Sequence, residues 1–130
     1  MQEKIKRLRE LKLLFVEDEE DLVEIITDTL SKLDVDFLTA TNGKEALDLI
    51  EEHKDIDIII TDINMPVMNG IDMVIELKNR GNNTSIVVMS AHTEKDYIEK
   101  AKMLGIDDYL FKPFDFIKFI DLITTMEINK

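Results

Sequence analysis

The sequence predicts an α/β fold in which five parallel strands form one doubly wound sheet flanked by five helices. Strand and helix patterns alternate from end to end of the 130 residues, which is typical of folds built from strand–helix–strand units. Residues 56–61 are almost wholly apolar, as expected of a strand that helices cover on both faces. Right-handed crossovers between such strands favour the doubly wound topology.

The apolar periodicity places each element in turn. Strands are predicted at 12–16, 35–39, 56–61, 85–89 and 108–111, and helices at 22–33, 42–50, 69–80, 93–104 and 114–126. Asn42 followed three residues later by Glu45 resembles a capping box, and Gly81 and Gly105 lie just past helix ends, where left-handed residues are common. Residues 1–11 are predicted to be an N-terminal extension, either solvated or a short helix. The alternative for this segment is a coupling element that contacts a second subunit.

Composition narrows the class of protein. The net charge of −12 argues against direct nucleic-acid binding, because phosphate contacts need clustered Lys and Arg. The absence of Cys excludes disulfides and thiolate metal sites, which fits a cytoplasmic location. The longest apolar runs are far shorter than a membrane span, so no membrane association is expected.

Residues with chemical meaning follow the predicted strands at their carboxyl ends, the edge at which such sheets bind ligands. They are Glu17, Asp18, Asp62, Ser90 and Lys112. Three carboxylates repel one another unless a cation lies among them, and Mg²⁺ accepts carboxylate ligands while it leaves positions for a phosphate oxygen. Asp62 would then be free to act as a nucleophile toward phosphorus. Lys112 would neutralise charge, and the Ser90 hydroxyl would donate a hydrogen bond to the transferred group.

These motifs resemble the receiver domain of two-component response regulators, and the resemblance covers residues 12–128. It implies a flavodoxin-like sheet of order 2-1-3-4-5. It also implies that Asp62 is the phosphoacceptor and that Asp18 and Asp62 bind Mg²⁺ directly, with Mn²⁺ as a substitute. Glu17 would act through water and the backbone carbonyl of Asn64 would be a further ligand. Lys112 would pair with the phosphoryl group, and the Lys112–Pro113 bond would be cis.

The resemblance further implies a switch and a set of partners. Ser90, Ala91 and Tyr109 would form the switch, and Asn64 and His92 would tune self-dephosphorylation. A sensor histidine kinase would supply the phosphoryl group. The face formed by the fourth helix (93–104), fifth strand (108–111) and last helix (114–126) would bind a downstream effector or form a homodimer. No effector domain is expected within this chain.

The last helix gives a separate reason to expect a second chain. Its apolar residues cover an arc of roughly 220° at 100° per residue, whereas a helix packed on its own sheet needs a stripe nearer about 100°. Covering by another chain would explain the excess. The alternative is that the helix buries both flanks within the monomer.

Two other functions of the same fold class lack residues that they need in this chain. A phosphohydrolase of the haloacid-dehalogenase type needs a second Asp where this chain has Asn64. A nucleotide- or flavin-binding domain needs a Gly-rich turn, but the turn after the first strand begins with Glu17 and Asp18. The sequence therefore predicts a signalling phosphoacceptor rather than a metabolic enzyme. A phosphorylation-independent interaction module of the same fold is the remaining alternative.

Overall fold

The computed structural model describes residues 1–91 and 93–128, and it confirms the doubly wound α/β fold. Five parallel strands form one sheet in the order β2-β1-β3-β4-β5. The strands are β1 Lys12–Val16, β2 Asp36–Ala40, β3 Ile58–Asp62, β4 Ser85–Ala91 and β5 Asp108–Lys112. The helices are α1 Gln2–Arg9, α2 Glu20–Lys32, α3 Gly43–Glu52, α4 Gly70–Asn79, α5 Lys95–Met103 and α6 Phe116–Thr125.

The described residues form six helices rather than the predicted five, because the first eleven residues contribute α1. This helix packs on α6, and Leu8 and Leu11 are buried in the core on that side of the sheet. Lys4 forms an ion pair with Asp121 of α6, and the Arg9 guanidinium donates a hydrogen bond to the Leu33 carbonyl. The segment predicted as an extension is therefore packed into the domain.

The apolar arc of α6 has an explanation within the chain. Its buried side chains are Phe119, Ile120 and Ile123, and all three belong to the same core cluster as Leu8 of α1. One flank of α6 therefore faces the sheet and another contacts α1. Ile117 remains exposed. The width of the arc no longer requires a second chain to cover it.

Two apolar cores lie on opposite faces of the sheet. Residues from α3, α4 and α5 fill one of them, and residues from α1, α2 and α6 fill the other. All five residues of β3 are buried, as the apolar run predicted for the central strand. No helix in the described part of the chain has the length and apolar character that crossing a membrane requires.

Asparagine caps and glycines with positive φ lie at four of the helix ends. The Asn42 side chain accepts a hydrogen bond from the Glu45 backbone N–H and caps α3. Asn69 caps α4 in the same way. Gly81 and Gly105 have φ angles of +74° and +86° just beyond α4 and α5, which confirms the left-handed conformation predicted at both helix ends.

Candidate functional site

Four strands deliver polar side chains to one edge of the sheet. Glu17 and Asp18 directly follow β1, Asp62 is the last residue of β3, Ser90 lies near the end of β4, and Lys112 ends β5. The strands pair in parallel register, with Val16 opposite Thr61, Asp62 opposite Met89 and Ala91 opposite Lys112. Their carboxyl ends therefore meet at one level, as the sequence predicted.

The three acidic side chains form one cluster. Glu17 and Asp62 are buried, with 1% and 8% of their surface exposed, while Asp18 is exposed to solvent. One carboxylate oxygen from each residue lies within 4.8 Å of the others. Such a group of oxygen ligands, open on one side to water, suits a hard divalent cation such as Mg²⁺.

Lys112 is the cationic partner of this cluster. Its ammonium nitrogen lies 2.9 Å from Glu17 Oε2 and 3.3 Å from Asp62 Oδ2. Burial opposes the charged form, but the hydrogen bond to Glu17 and the charge of Asp62 together raise the pKa of Lys112. The side chain therefore carries a fixed positive charge between two buried carboxylates.

One lysine does not balance the cluster. Burial raises the pKa of Glu17 to about 7, and the charge of Asp62 adds to that rise, while the hydrogen bond from Lys112 opposes it. A carboxyl group with a pKa raised in this way lies in surroundings that favour its neutral form. A divalent cation beside Asp18 and Asp62 would supply the missing positive charge.

Backbone contacts hold Asp62 in place. Its Oδ1 atom accepts a hydrogen bond of 2.8 Å from the Ile63 N–H, and the Gly70 N–H donates to the Ile63 carbonyl. A Cβ atom on Gly70 would lie 2.1 Å from the Asp62 carbonyl oxygen. Only glycine allows the start of α4 to approach the end of β3 so closely.

Ser90 and Tyr109, two of the three residues predicted as the switch, adopt defined positions. Ser90 is fully buried, and its hydroxyl donates a hydrogen bond of 3.0 Å to the Ala91 carbonyl. Tyr109 is half-buried against the core to which α3, α4 and α5 contribute, and its hydroxyl donates to the Ile106 carbonyl. Burial raises the pKa of the Tyr109 hydroxyl. The predicted cis bond between Lys112 and Pro113 is confirmed.

The structure adds Glu94, a residue that the sequence did not indicate as part of the site. Asn64 is exposed, and its side-chain amide donates a hydrogen bond of 2.7 Å to Glu94 Oε2. Glu94 lies thirty residues further along the chain, and no spacing motif connects the two. His92, the other predicted tuning residue, lies outside the described residues.

Comparison with known families places this arrangement in a defined class. The family model of the response regulator receiver domain matches residues 13–124. The chain therefore belongs to the response regulator receiver domain family, whose members are phosphoacceptor signalling domains of two-component systems. The matched region contains the whole acidic cluster and Lys112, whereas α1 lies before it.

Individual relatives agree with this assignment. The chain is 39% identical over 102 residues to the response regulator SaeR of Staphylococcus aureus, a match that covers 78% of this chain and 44% of SaeR. The chain thus spans less than half the length of that relative.

Solved structures show the same fold. The N-terminal domain of an uncharacterised Wolinella succinogenes protein has a TM-score of 0.80 at 34% identity, covering 87% of this chain and 90% of that one. The Vibrio cholerae chemotaxis protein CheY4 has a TM-score of 0.78 at 28% identity, covering 87% of this chain and 95% of that one. A CheX–CheY–BeF₃–Mg²⁺ complex from Borrelia burgdorferi gives a TM-score of 0.79 at 25% identity, covering 88% of this chain and 87% of that one.

Proposed function

We propose that this chain is a phosphorylation-operated switch in which Asp62 accepts a phosphoryl group from a phosphohistidine of a partner histidine kinase. The observation that carries the proposal is the meeting of Glu17, Asp18, Asp62 and Lys112 at one sheet edge. A carboxylate nucleophile, a cation site and a fixed ammonium are the parts that phosphoryl transfer needs. The Borrelia relative with bound BeF₃ and Mg²⁺ supports the same reading.

The chemistry follows from these positions. A carboxylate oxygen of Asp62 attacks phosphorus, the N–P bond of the phosphohistidine breaks, and the electron pair returns to the imidazole nitrogen. Asp18, Asp62 and the Asn64 carbonyl would hold Mg²⁺, or Mn²⁺ in its place, and Glu17 would contact it through water. The cation would neutralise charge on the phosphoryl oxygens. Lys112, already 3.3 Å from Asp62, would pair with the new phosphoryl group.

The response to phosphorylation would involve the β4 and β5 ends. The Ser90 hydroxyl now donates to the Ala91 carbonyl and would turn to the phosphoryl group. Tyr109 would follow, and the preference of the α5–β5–α6 face for its partner or for a second copy would change. In this account the phosphoryl group biases an equilibrium between two existing conformations. Asn64 and His92 would set the rate of self-dephosphorylation.

The domain limits and the output remain part of the proposal. Residues 12–128 would form the receiver domain, with 1–11 as an addition and any effector in another domain or protein. The domain would catalyse only its own phosphorylation and hydrolysis. It would act in the cytoplasm without contacting nucleic acid or membrane.

Intact mass spectrometry after incubation with acetyl phosphate tests the proposal directly. Wild type is expected to gain one phosphoryl adduct only when Mg²⁺ is present, because acetyl phosphate then transfers its phosphoryl group to Asp62 and releases acetate. Asp62→Ala should show no adduct, whereas Asp21→Ala, which removes an exposed carboxylate of α2, should still be labelled. A folded wild type without any adduct would favour a phosphorylation-independent interaction module.

A further inference from the structure

Glu94 joins the ends of two neighbouring strands beside the acidic cluster. It lies between β4 and α5. Its Oε1 atom accepts a hydrogen bond of 2.9 Å from the Ala91 N–H, and its Oε2 atom accepts one of 2.7 Å from the Asn64 side-chain amide. Ala91 directly follows Ser90, and Asn64 lies two residues after Asp62. One carboxylate therefore bridges the two segments that border Asp62.

The contact of Glu94 with Ala91 is local in sequence. The Glu94 N–H donates to the Ala91 carbonyl at 3.0 Å, so the Glu94 backbone and side chain both bond to Ala91. The bond to Asn64 has no such local origin, since it connects the loop after β3 with the loop after β4. It connects Glu94 with Asn64, the first exposed residue after Asp62.

The charge of Glu94 matters at this place. Within the described residues Glu94 forms no ion pair with Lys or Arg, and its two hydrogen-bond partners are a backbone N–H and a neutral amide. The nearest strand ends already carry three carboxylates, of which Glu17 and Asp62 share Lys112. A further carboxylate facing this edge makes the potential more negative, which disfavours the arrival of another anion.

We infer that Glu94 competes with the phosphoryl group for the donors beside Asp62, so that its carboxylate opposes the phosphorylated state. This inference rests on the proposed phosphorylation of Asp62. A phosphoryl group on Asp62 would be an anion with three acceptor oxygens at the edge where the Ala91 N–H and the Asn64 amide are now bonded to Glu94. Its arrival releases the Glu94 carboxylate to water and repels it. Glu94 is thus a positioning residue that sets how readily the site accepts an anion.

Binding of beryllofluoride in the presence of saturating Mg²⁺, followed by calorimetry, tests the competition without any covalent step. Glu94→Gln removes the charge at nearly constant shape, and Glu94→Ala removes the contacts as well. Both variants should bind beryllofluoride about three- to tenfold more tightly than wild type, since a hydrogen bond to a charged group and one like charge are removed. Glu52→Gln, which removes an exposed carboxylate at the end of α3, should bind like wild type.

The outcomes separate the possible failures. If Glu94 only stabilises the loop after β4, its replacement will lower the thermal midpoint and will leave beryllofluoride binding unchanged or weaker. That result would overturn the inference. Wild type that binds beryllofluoride as tightly as both Glu94 variants overturns it in the same way. If neither wild type nor any variant binds beryllofluoride, the proposed function itself is wrong, and the inference falls with it. Thermal unfolding of each variant confirms that the comparison is made on folded protein.

Discussion

The Lys112 ammonium lies 2.9 Å from Glu17 Oε2, although the two residues are ninety-five positions apart in the chain. The pair forms where the ends of β1 and β5 face the same edge of the sheet. Glu17 is almost fully buried, so its interaction with Lys112 and with Asp62 is weakly screened by water. The ionisation of Glu17 is therefore coupled to the stability of the whole domain.

Without divalent cations, we expect the free energy of unfolding to carry a term that falls as the pH rises from about 5 to 7. Because burial raises the folded-state pKa of Glu17 to about 7, the folded chain binds more protons than the unfolded chain in this window. Stability contributed by the neutral form is present at low pH and is lost as the pH passes the folded-state value. The loss of stability between pH 5 and pH 7 is about 2 kcal/mol.

Urea unfolding in EDTA at several pH values measures this term. Glu17→Gln has no titrating group at the position, so the difference in unfolding free energy between wild type and variant should change with pH in the stated direction. A difference that is constant from pH 5 to 8 would show that Glu17 titrates at its ordinary value.

Addition of Mg²⁺ should stabilise the folded chain if the acidic cluster binds it. At a Mg²⁺ concentration ten times the dissociation constant, the gain is about 1.4 kcal/mol, which a rise in thermal midpoint reports. Asp18→Asn should lose most of this gain, because it removes one carboxylate of the cluster. Asp21→Asn, an exposed position in the first turn of α2, should keep it. Equal gains in both variants would place the cation elsewhere.

Gly70→Ala should destabilise the protein and reduce its labelling by acetyl phosphate. The new Cβ would lie 2.1 Å from the Asp62 carbonyl oxygen, so the end of β3 or the start of α4 must move, at a cost of about 1–3 kcal/mol. Gly81→Ala is the matched control. Its Cβ meets nothing within 4 Å, and its cost of about 1 kcal/mol comes from the positive φ alone.

Comparison of the two glycine variants distinguishes a loss of stability from a change in the geometry of the site. Gly81→Ala should label like wild type, because it leaves the backbone of Asp62 in place. If Gly70→Ala has the same free energy of unfolding as wild type and is labelled to the same extent, the contact with Asp62 relaxes without consequence.

Leu8→Ala should lower the free energy of unfolding by about 3 kcal/mol. The Leu8 side chain is fully buried and packs in the core that includes α6, although it lies before the region that the family model matches. Ile117→Ala, on the exposed side of α6, should change stability by less than about 0.5 kcal/mol. Chemical denaturation of both variants checks the contrast, and equal small effects would show that α1 is only loosely attached.

The same helix bears on the oligomeric state. The breadth of the apolar arc on α6 predicted a covering chain, but α1 covers one flank of that helix within the same chain. A homodimer through the α5–β5–α6 face therefore stays a prediction that depends on phosphorylation. Sedimentation with and without beryllofluoride tests it, and a monomer under both conditions would count against it.

The sequence predicted five buried strands and the acidic edge because both depend on local patterns, whereas the strand order was implied only by the resemblance to receiver domains. Apolar runs identify buried strands, and Glu17, Asp62 and Lys112 follow such runs directly. The packing of Leu8 on α6 was not predictable in the same way, because its partners lie about a hundred residues away and its own segment is highly charged. The bond between Asn64 and Glu94 was missed for a related reason, since contacts between exposed loop residues leave no periodic signal.

Lys112 ends an edge strand of the sheet, whereas the carboxylates of the cluster follow or end inner strands. In the described sheet β5 is an edge strand that pairs with β4 on one side, whereas β1 and β3, which carry the carboxylates, have neighbours on both sides. Brief local unfolding of an edge strand costs less than opening the centre. Fraying of β5 would carry the ammonium away from Glu17 and Asp62 while the carboxylates stayed together. Amide hydrogen exchange in β5 would therefore report how often the cluster is left without its lysine.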